Sequence, residues 1–82
     1  MVHGVYAKRD LLVGYKIHHD SMTEDFYLAV PLQKGQLSCR EVMNGERLAA
    51  VVQKDQPLMI DVIDWPYARV ESLKQEIYKR GL

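Results

Sequence analysis

The side chains best suited to chemistry cluster between His18 and Asp25, where His18, His19, Asp20, Glu24 and Asp25 share one polar stretch. Imidazole and carboxylate groups are ordinary ligands for zinc and other divalent ions. Adjacent histidines point in different directions, however, and no third histidine or cysteine follows at ligand spacing. The stretch therefore reads as a solvated loop followed by a helical turn, starting at Ser21 or Thr23, that presents Met22 and Phe26 to the core. Cys39 stands beside Arg40, and a cation near a helix N-terminus lowers a thiol pKa. No histidine is placed to act with it, so Cys39 reads as a half-buried packing residue. Asp20, Glu24, Asp25, Asp55, Asp61 and Asp64 offer carboxylates for acid–base pairs, but nothing in their spacing fixes a distance. The sequence holds no nucleophile elbow, no glycine-rich phosphate cradle and no zinc pattern. It therefore assigns no catalytic residue and no metal ligand.

Composition narrows the function classes further. Eighty-two residues allow one domain near the lower size limit for a self-sufficient core. Apolar content of 48% and charged content of 27% are globular values. Eleven basic and eleven acidic residues cancel, which argues against nucleic acid or an anionic membrane as partner. No apolar run reaches the ~18 residues of a membrane span, and the first residues lead straight into a strand instead of a signal segment. A single cysteine excludes an intrachain disulfide framework, so a cytoplasmic location is the expectation. With no chemical site of its own, the chain reads as a piece of something larger.

Short elements must position whatever the chain binds. Val5 to Arg9 alternates as a strand, with Val5 and Ala7 on one face and Tyr6 and Lys8 on the other. A turn follows, with Gly14 as its positive-φ residue, and Tyr15 to Ile17 is a second short strand. Phe26 to Val30 is apolar throughout and reads as a buried strand ending at Pro31. Leu32 to Gln36 is an exposed loop with a turn at Lys34-Gly35. Ser38-Cys39-Arg40-Glu41 has the form of a capping box, opening one helical turn that Asn44-Gly45 closes. Arg47 to Val52 is extended, Lys54 to Pro57 turns, and Leu58 to Ile63 returns as a strand. Leu11, Gly14 and Ile17 recur in spacing and type as Val52, Asp55 and Leu58. That faint repeat suggests two half-motifs about a local pseudo-dyad.

The tail changes character. Asp64 can cap, Pro66 suits a first helical turn and Gly81 a stop. Pro66, Val70, Leu73 and Ile77 form one apolar stripe, with Glu76 and Arg80 paired on the polar side. The pattern predicts a helix of roughly fourteen residues, anchored by Trp65. Such a helix is marginal alone, so its stripe must pack on the β unit or on a partner. We therefore divide the chain into a β unit, residues 1–64, and a C-terminal helix, residues 65–82, packed on it or linking to another domain.

At these residues a family resemblance enters. The pattern KG-x-x-S-x-x-E-V-x-x-G-x-x-L-x-x-x-V-x-x-D-x-P-L, from Lys34 to Leu58, resembles the second half of the SAF, or antifreeze-like, domain. That module ends sialic acid synthases and is similar to type III fish antifreeze proteins. The segment VYAKRDLLVGYKIHHDSMTEDFYLAV, from Val5 to Val30, is similar to the family's opening strand and its first two turns. Order and spacing carry the match, which covers Val5 to Asp64. The resemblance implies a mostly β domain with short helical turns, of the β-clip kind, followed here by the C-terminal α-helix.

The resemblance also implies a role. Sialic acid synthase-like enzymes condense phosphoenolpyruvate with an N-acyl-mannosamine-type sugar. Their chemistry and divalent metal belong to a TIM barrel, which the SAF domain caps across a homodimer. Many bacterial members carry an Arg-Pro-Gly segment whose arginine touches the N-acyl group. Here Val30 precedes Pro31, so that contact does not carry over. Gln33, Lys34, Gln36 and Arg40 are the substitutes by proximity. Two other classes remain open. One is an SAF-type module of a flagellar or pilus chaperone or a sugar-acid dehydratase. The other, an ice-binding protein, conflicts with the charges of His18, His19, Asp20, Glu24 and Asp25.

Overall fold

Among the described residues, four short strands, two α-helices and one 3₁₀ turn make up the regular structure, and hydrogen bonds join the irregular segments between them. The computed structural model describes residues 2–18, 20–40, 45–65 and 67–79. Strand β1 (Gly4–Ala7) pairs antiparallel with β2 (Phe26–Ala29), and helix α1 (Ser21–Glu24) leads into β2. Strand β3 (Arg47–Leu48) pairs antiparallel with β4 (Ile63–Trp65), which a 3₁₀ turn (Ile60–Val62) precedes. Helix α2 (Tyr67–Lys79) closes the described chain. The molecule is thus mostly β with one C-terminal helix.

The pseudo-dyad is the organising feature. Leu11 and Val52 exchange backbone N–H···O bonds of 2.7 and 2.9 Å. On one side of that pair, Gly14 N donates to Leu48 O, Leu48 N to Tyr15 O and Ile17 N to Glu46 O. On the other side, Asp55 N donates to Ala7 O, Ala7 N to Gln56 O and Leu58 N to Val5 O. Each of these bonds has its counterpart in the other half. The turns match as well: Tyr15 N reaches Leu12 O at 3.1 Å and Gln56 N reaches Gln53 O at 3.0 Å. Gly14 (φ 85°) and Asp55 (φ 69°) both occupy the left-handed region that such turns require. Aspartate tolerates that region better than most residues. The β1–β2 pair Ala7/Phe26 corresponds to the β3–β4 pair Leu48/Ile63.

The dyad also explains where the strand expectations fail. Tyr15 to Ile17 is not a strand; only Lys16 bridges Arg47. The Arg47 to Val52 segment is β3 for two residues, bends at Ala49-Ala50 and rejoins a partner at Val52. Leu58 to Ile63 is broken by the 3₁₀ turn, which occupies the place α1 holds in the first half. Phe26 to Val30 is not buried throughout: Phe26 is, but Leu28 and Val30 are about half exposed. By the two-residue period of a strand these three share one face of β2, so that face is covered by the core at Phe26 and open to water beyond it.

The core runs through both halves. Val5, Ala7, Leu11, Ile17, Phe26 and Leu37 join Leu48, Val52, Leu58, Ile60 and Ile63 in a single buried cluster. Val70, Leu73 and Ile77 of α2 belong to the same cluster, and α2 rests against β4 and the 3₁₀ turn. Helix α2 runs for 13 residues, close to the length its sequence predicts. Asp64 lies exposed inside β4, not at the helix cap. Pro66, Arg80, Gly81 and the Trp65 and Met22 side chains lie outside the described residues. On the outer side of α2 the described ion pair is Glu71–Lys74, at 3.9 Å.

Candidate functional site

The segment after β2 carries the residues nominated for substrate contact. Its course is set by backbone pairing on both sides. Val5 N donates to Leu37 O, Leu37 N to Leu58 O and Ile60 N to Gly35 O. Residues 35–38 are therefore held between β1 and the Pro57–Ile60 segment. Lys34-Gly35 forms the expected turn, with Gly35 at φ 79°. A Cβ there would approach Met59 and Tyr78 at 3.6 and 3.7 Å, so α2 and the turn are near neighbours.

Of the nominated residues, Gln36 belongs to the interior. It is fully buried, which corrects the expectation of an exposed loop through that position. Its Nε2 donates to Val5 O at 2.9 Å, and its Oε1 accepts from Gln33 N at 2.8 Å. The side chain staples the loop to β1 and has no face toward a ligand. Gln33, Lys34 and Arg40 are exposed. The structure joins Gln33 to Gln36 through that bond. It places Arg40 beyond Ser38, whose Oγ accepts the Arg40 amide at 3.1 Å. That bond fits the expected Ser38 cap, while Glu41 to Asn44 lie outside the described residues. Gly45, at φ 109°, takes the left-handed conformation expected of a helix stop. Cys39 is exposed and not half-buried, its amide donating to His3 O at 3.0 Å.

A polar hub that the sequence did not announce lies beneath α1. Asp25 is buried, its Oδ1 accepting from Arg9 Nε at 2.7 Å and its Oδ2 from the Tyr15 hydroxyl. Tyr15 also bonds Ser21 Oγ at 2.8 Å, and Ser21 Oγ accepts the His18 amide at 3.1 Å. The Arg9 guanidinium sits 5.9 Å from the Tyr15 ring centre. Burial pushes the Tyr15 phenol up to about 12, and its bond to Asp25 adds to the rise. Burial alone would raise the Asp25 carboxyl, but the Tyr15 and Arg9 hydrogen bonds outweigh it and hold the group below its usual range. Near neutral pH the phenol stays a donor and the carboxylate an acceptor. Neither shift brings a group toward neutrality, where a general acid or base works best, so the hub is a lock.

The lock predicts a pH profile. Asp25 binds its proton more weakly folded than unfolded, so its contribution is complete above about pH 5 and fades below about pH 4. Tyr15 holds its proton more tightly folded, so its contribution is lost as pH rises from about 10 toward about 12. Thermal melts of Asp25→Asn should lose part of the acid-side slope, and melts of Tyr15→Phe part of the alkaline slope. Unchanged slopes in both variants would remove the hub from the stability account.

Among the described residues, no three His, Cys, Asp or Glu side chains come together in a way that could hold a metal ion. Among the described residues, no helix is long and apolar enough to cross a membrane.

Comparison with solved structures places this fold beside a larger protein. The chain is similar to a crystal structure from Chromobacterium violaceum ATCC 12472, of a protein assigned by name as spore coat polysaccharide biosynthesis protein E. The two share 22% identity and a TM-score of 0.66, over 77% of this chain and 18% of that one. At that identity the likeness is one of fold, and this chain spans less than a fifth of the other's length. No protein-family model and no curated protein matches the chain.

Proposed function

We propose that this chain is a β-clip domain of the SAF type, working as the non-catalytic closing domain of a sialic acid synthase-like enzyme. The observation that carries the reading is the fold shared with a protein named for polysaccharide biosynthesis, over 77% of the present chain. The order of motifs from Val5 to Asp64 agrees with it. On this reading a TIM-barrel body condenses phosphoenolpyruvate with an N-acyl-mannosamine-type sugar and supplies the divalent metal. The present domain, contributed across a homodimer, closes over that site. Gln33, Lys34 and Arg40 are the groups left to reach the sugar, and Gln36 positions Gln33 through its amide.

The reading predicts that the 82-residue chain is inert alone. A hydrogen bond contributes about 0.5–1.5 kcal/mol net, so three exposed groups reach at most the ~4 kcal/mol of a millimolar complex. Incubated with phosphoenolpyruvate, N-acetylmannosamine and Mn²⁺, the chain should release no phosphate. An NMR titration with N-acetylmannosamine should not saturate below roughly millimolar sugar. Turnover, or saturation at micromolar sugar, would replace the closing-domain reading with an autonomous enzyme or lectin.

A further inference from the structure

The pseudo-dyad supplies an internal control for the surface. Leu11 pairs with Val52, and Gly14 N bonds Leu48 O, so Leu12 and Val13 stand opposite Ala49, Ala50 and Val51. All of these are exposed, Leu12 at 70%, Val13 at 61% and Val51 at 48%. Their counterparts across the dyad are Gln53 and Lys54, opposite Lys8, Arg9 and Asp10, and these are exposed too. The same backbone presents the same positions to solvent twice. One copy is wholly polar, as solvent demands, and the other is wholly apolar. Scattered surface apolar residues need no explanation, but a contiguous group points to a contact surface.

We propose that the Leu12–Val13 and Ala49–Val51 face is covered in the working protein by a protein surface that is apolar at its centre and carries carboxylates at one margin. Charge fixes the margin. Lys16 and Arg47 bridge each other through their backbones immediately beside the patch, both are exposed, and neither has an ion-pair partner among the described residues. A second copy of this chain would bring the same basic residues to the interface, whereas an acidic rim would neutralise them. The assignment of that surface to the larger catalytic body rests on the function proposed above. The polar copy of the patch stays in water.

Hydrogen exchange of the full gene product against the 82-residue chain tests this. The amides of Leu12, Val13, Ala50 and Val51 should exchange at least about tenfold more slowly in the full protein. Those of Arg9, Asp10, Gln53 and Lys54 should be unchanged. Leu12→Asn with Val51→Thr alters exposed positions only, so the 82-residue chain should melt as before while the full protein loses the protection. Equal exchange on both faces, or protection on the polar face, would overturn the proposal. So would sedimentation of the 82-residue chain as a dimer that the double variant dissociates, since the occupant would then be a second copy. Protection without phosphate release would leave the docking face standing and remove the synthase reading; release with an unprotected face would do the reverse.

Discussion

Leu73→Ala should lower the melting temperature of this chain by on the order of 10–30 °C, whereas Lys74→Ala should leave it nearly unchanged. Leu73 is buried in the common core with Val70 and Ile77. Truncating a buried leucine to alanine costs about 2–5 kcal/mol, and in a domain of this size each kcal/mol shifts the midpoint by roughly 4–8 °C. Total stability for so small a domain lies near the low end of ~5–15 kcal/mol, so the variant approaches half unfolding. Lys74 lies on the other side of the helix, at a surface pair with Glu71 whose separation of 3.9 Å adds little. A change within about 0.5 kcal/mol is expected there. Paired melts decide the point: if Leu73→Ala melts like the wild type, α2 is not part of the cooperative core.

The second large effect is expected at Gly4. A methyl group there would lie 2.4 to 2.7 Å from the amide atoms of Gln36, well inside contact distance. A flexible side chain normally swings away at little cost. Gln36 cannot, because it is fully buried and hydrogen-bonded at both ends. Gly4→Ala should therefore cost about 1–3 kcal/mol through strain and broken hydrogen bonds. Gln36→Ala should cost a similar amount. The double variant removes the clash, so its cost should fall short of the sum by about 0.5–3 kcal/mol. Denaturant melts of the four proteins give the cycle directly, and strict additivity would show that the two sites do not communicate.

Much of this arrangement could be read in the sequence where a local rule applied. The stripe Val70, Leu73, Ile77 predicted the buried side of α2 because helical periodicity repeats within a few residues. The recurrence of Leu11, Gly14, Ile17 as Val52, Asp55, Leu58 pointed to the dyad because turn chemistry and apolar anchors are local. The dyad's extent was not readable: Lys8 and Ala49 hold equivalent places, and no side-chain likeness links them. A stronger local signal lies in the two glutamine turns. Gln33-Lys34-Gly35-Gln36 and Gln53-Lys54-Asp55-Gln56 are near copies, and in both the final amide oxygen accepts the first residue's N–H at 2.8 Å. That pattern ties each final glutamine to its own turn, but the burial of Gln36 is not in it: Gln56 is exposed, and Gln36 is buried where it meets Val5 of β1. The Arg9–Tyr15–Asp25 hub left no such trace, since its bonds span 10 and 16 residues and depend on the completed fold. Cys39 was misplaced for a related reason: burial of a small apolar side chain is set by neighbours that the sequence does not name.

On the function proposed above, this chain closes an active site and makes no bonds itself. Phosphate release from phosphoenolpyruvate by the full gene product, with N-acetylmannosamine and Mn²⁺, tests it most directly when repeated with residues 1–82 of this chain deleted. Closing elements act by positioning and exclusion of water, and a misplaced substrate loses roughly a hundredfold in rate. Turnover by the full protein is expected, with a loss of about that size and residual activity in the deletion. A full protein without phosphate release, or a deletion that turns over at the full rate, would contradict it.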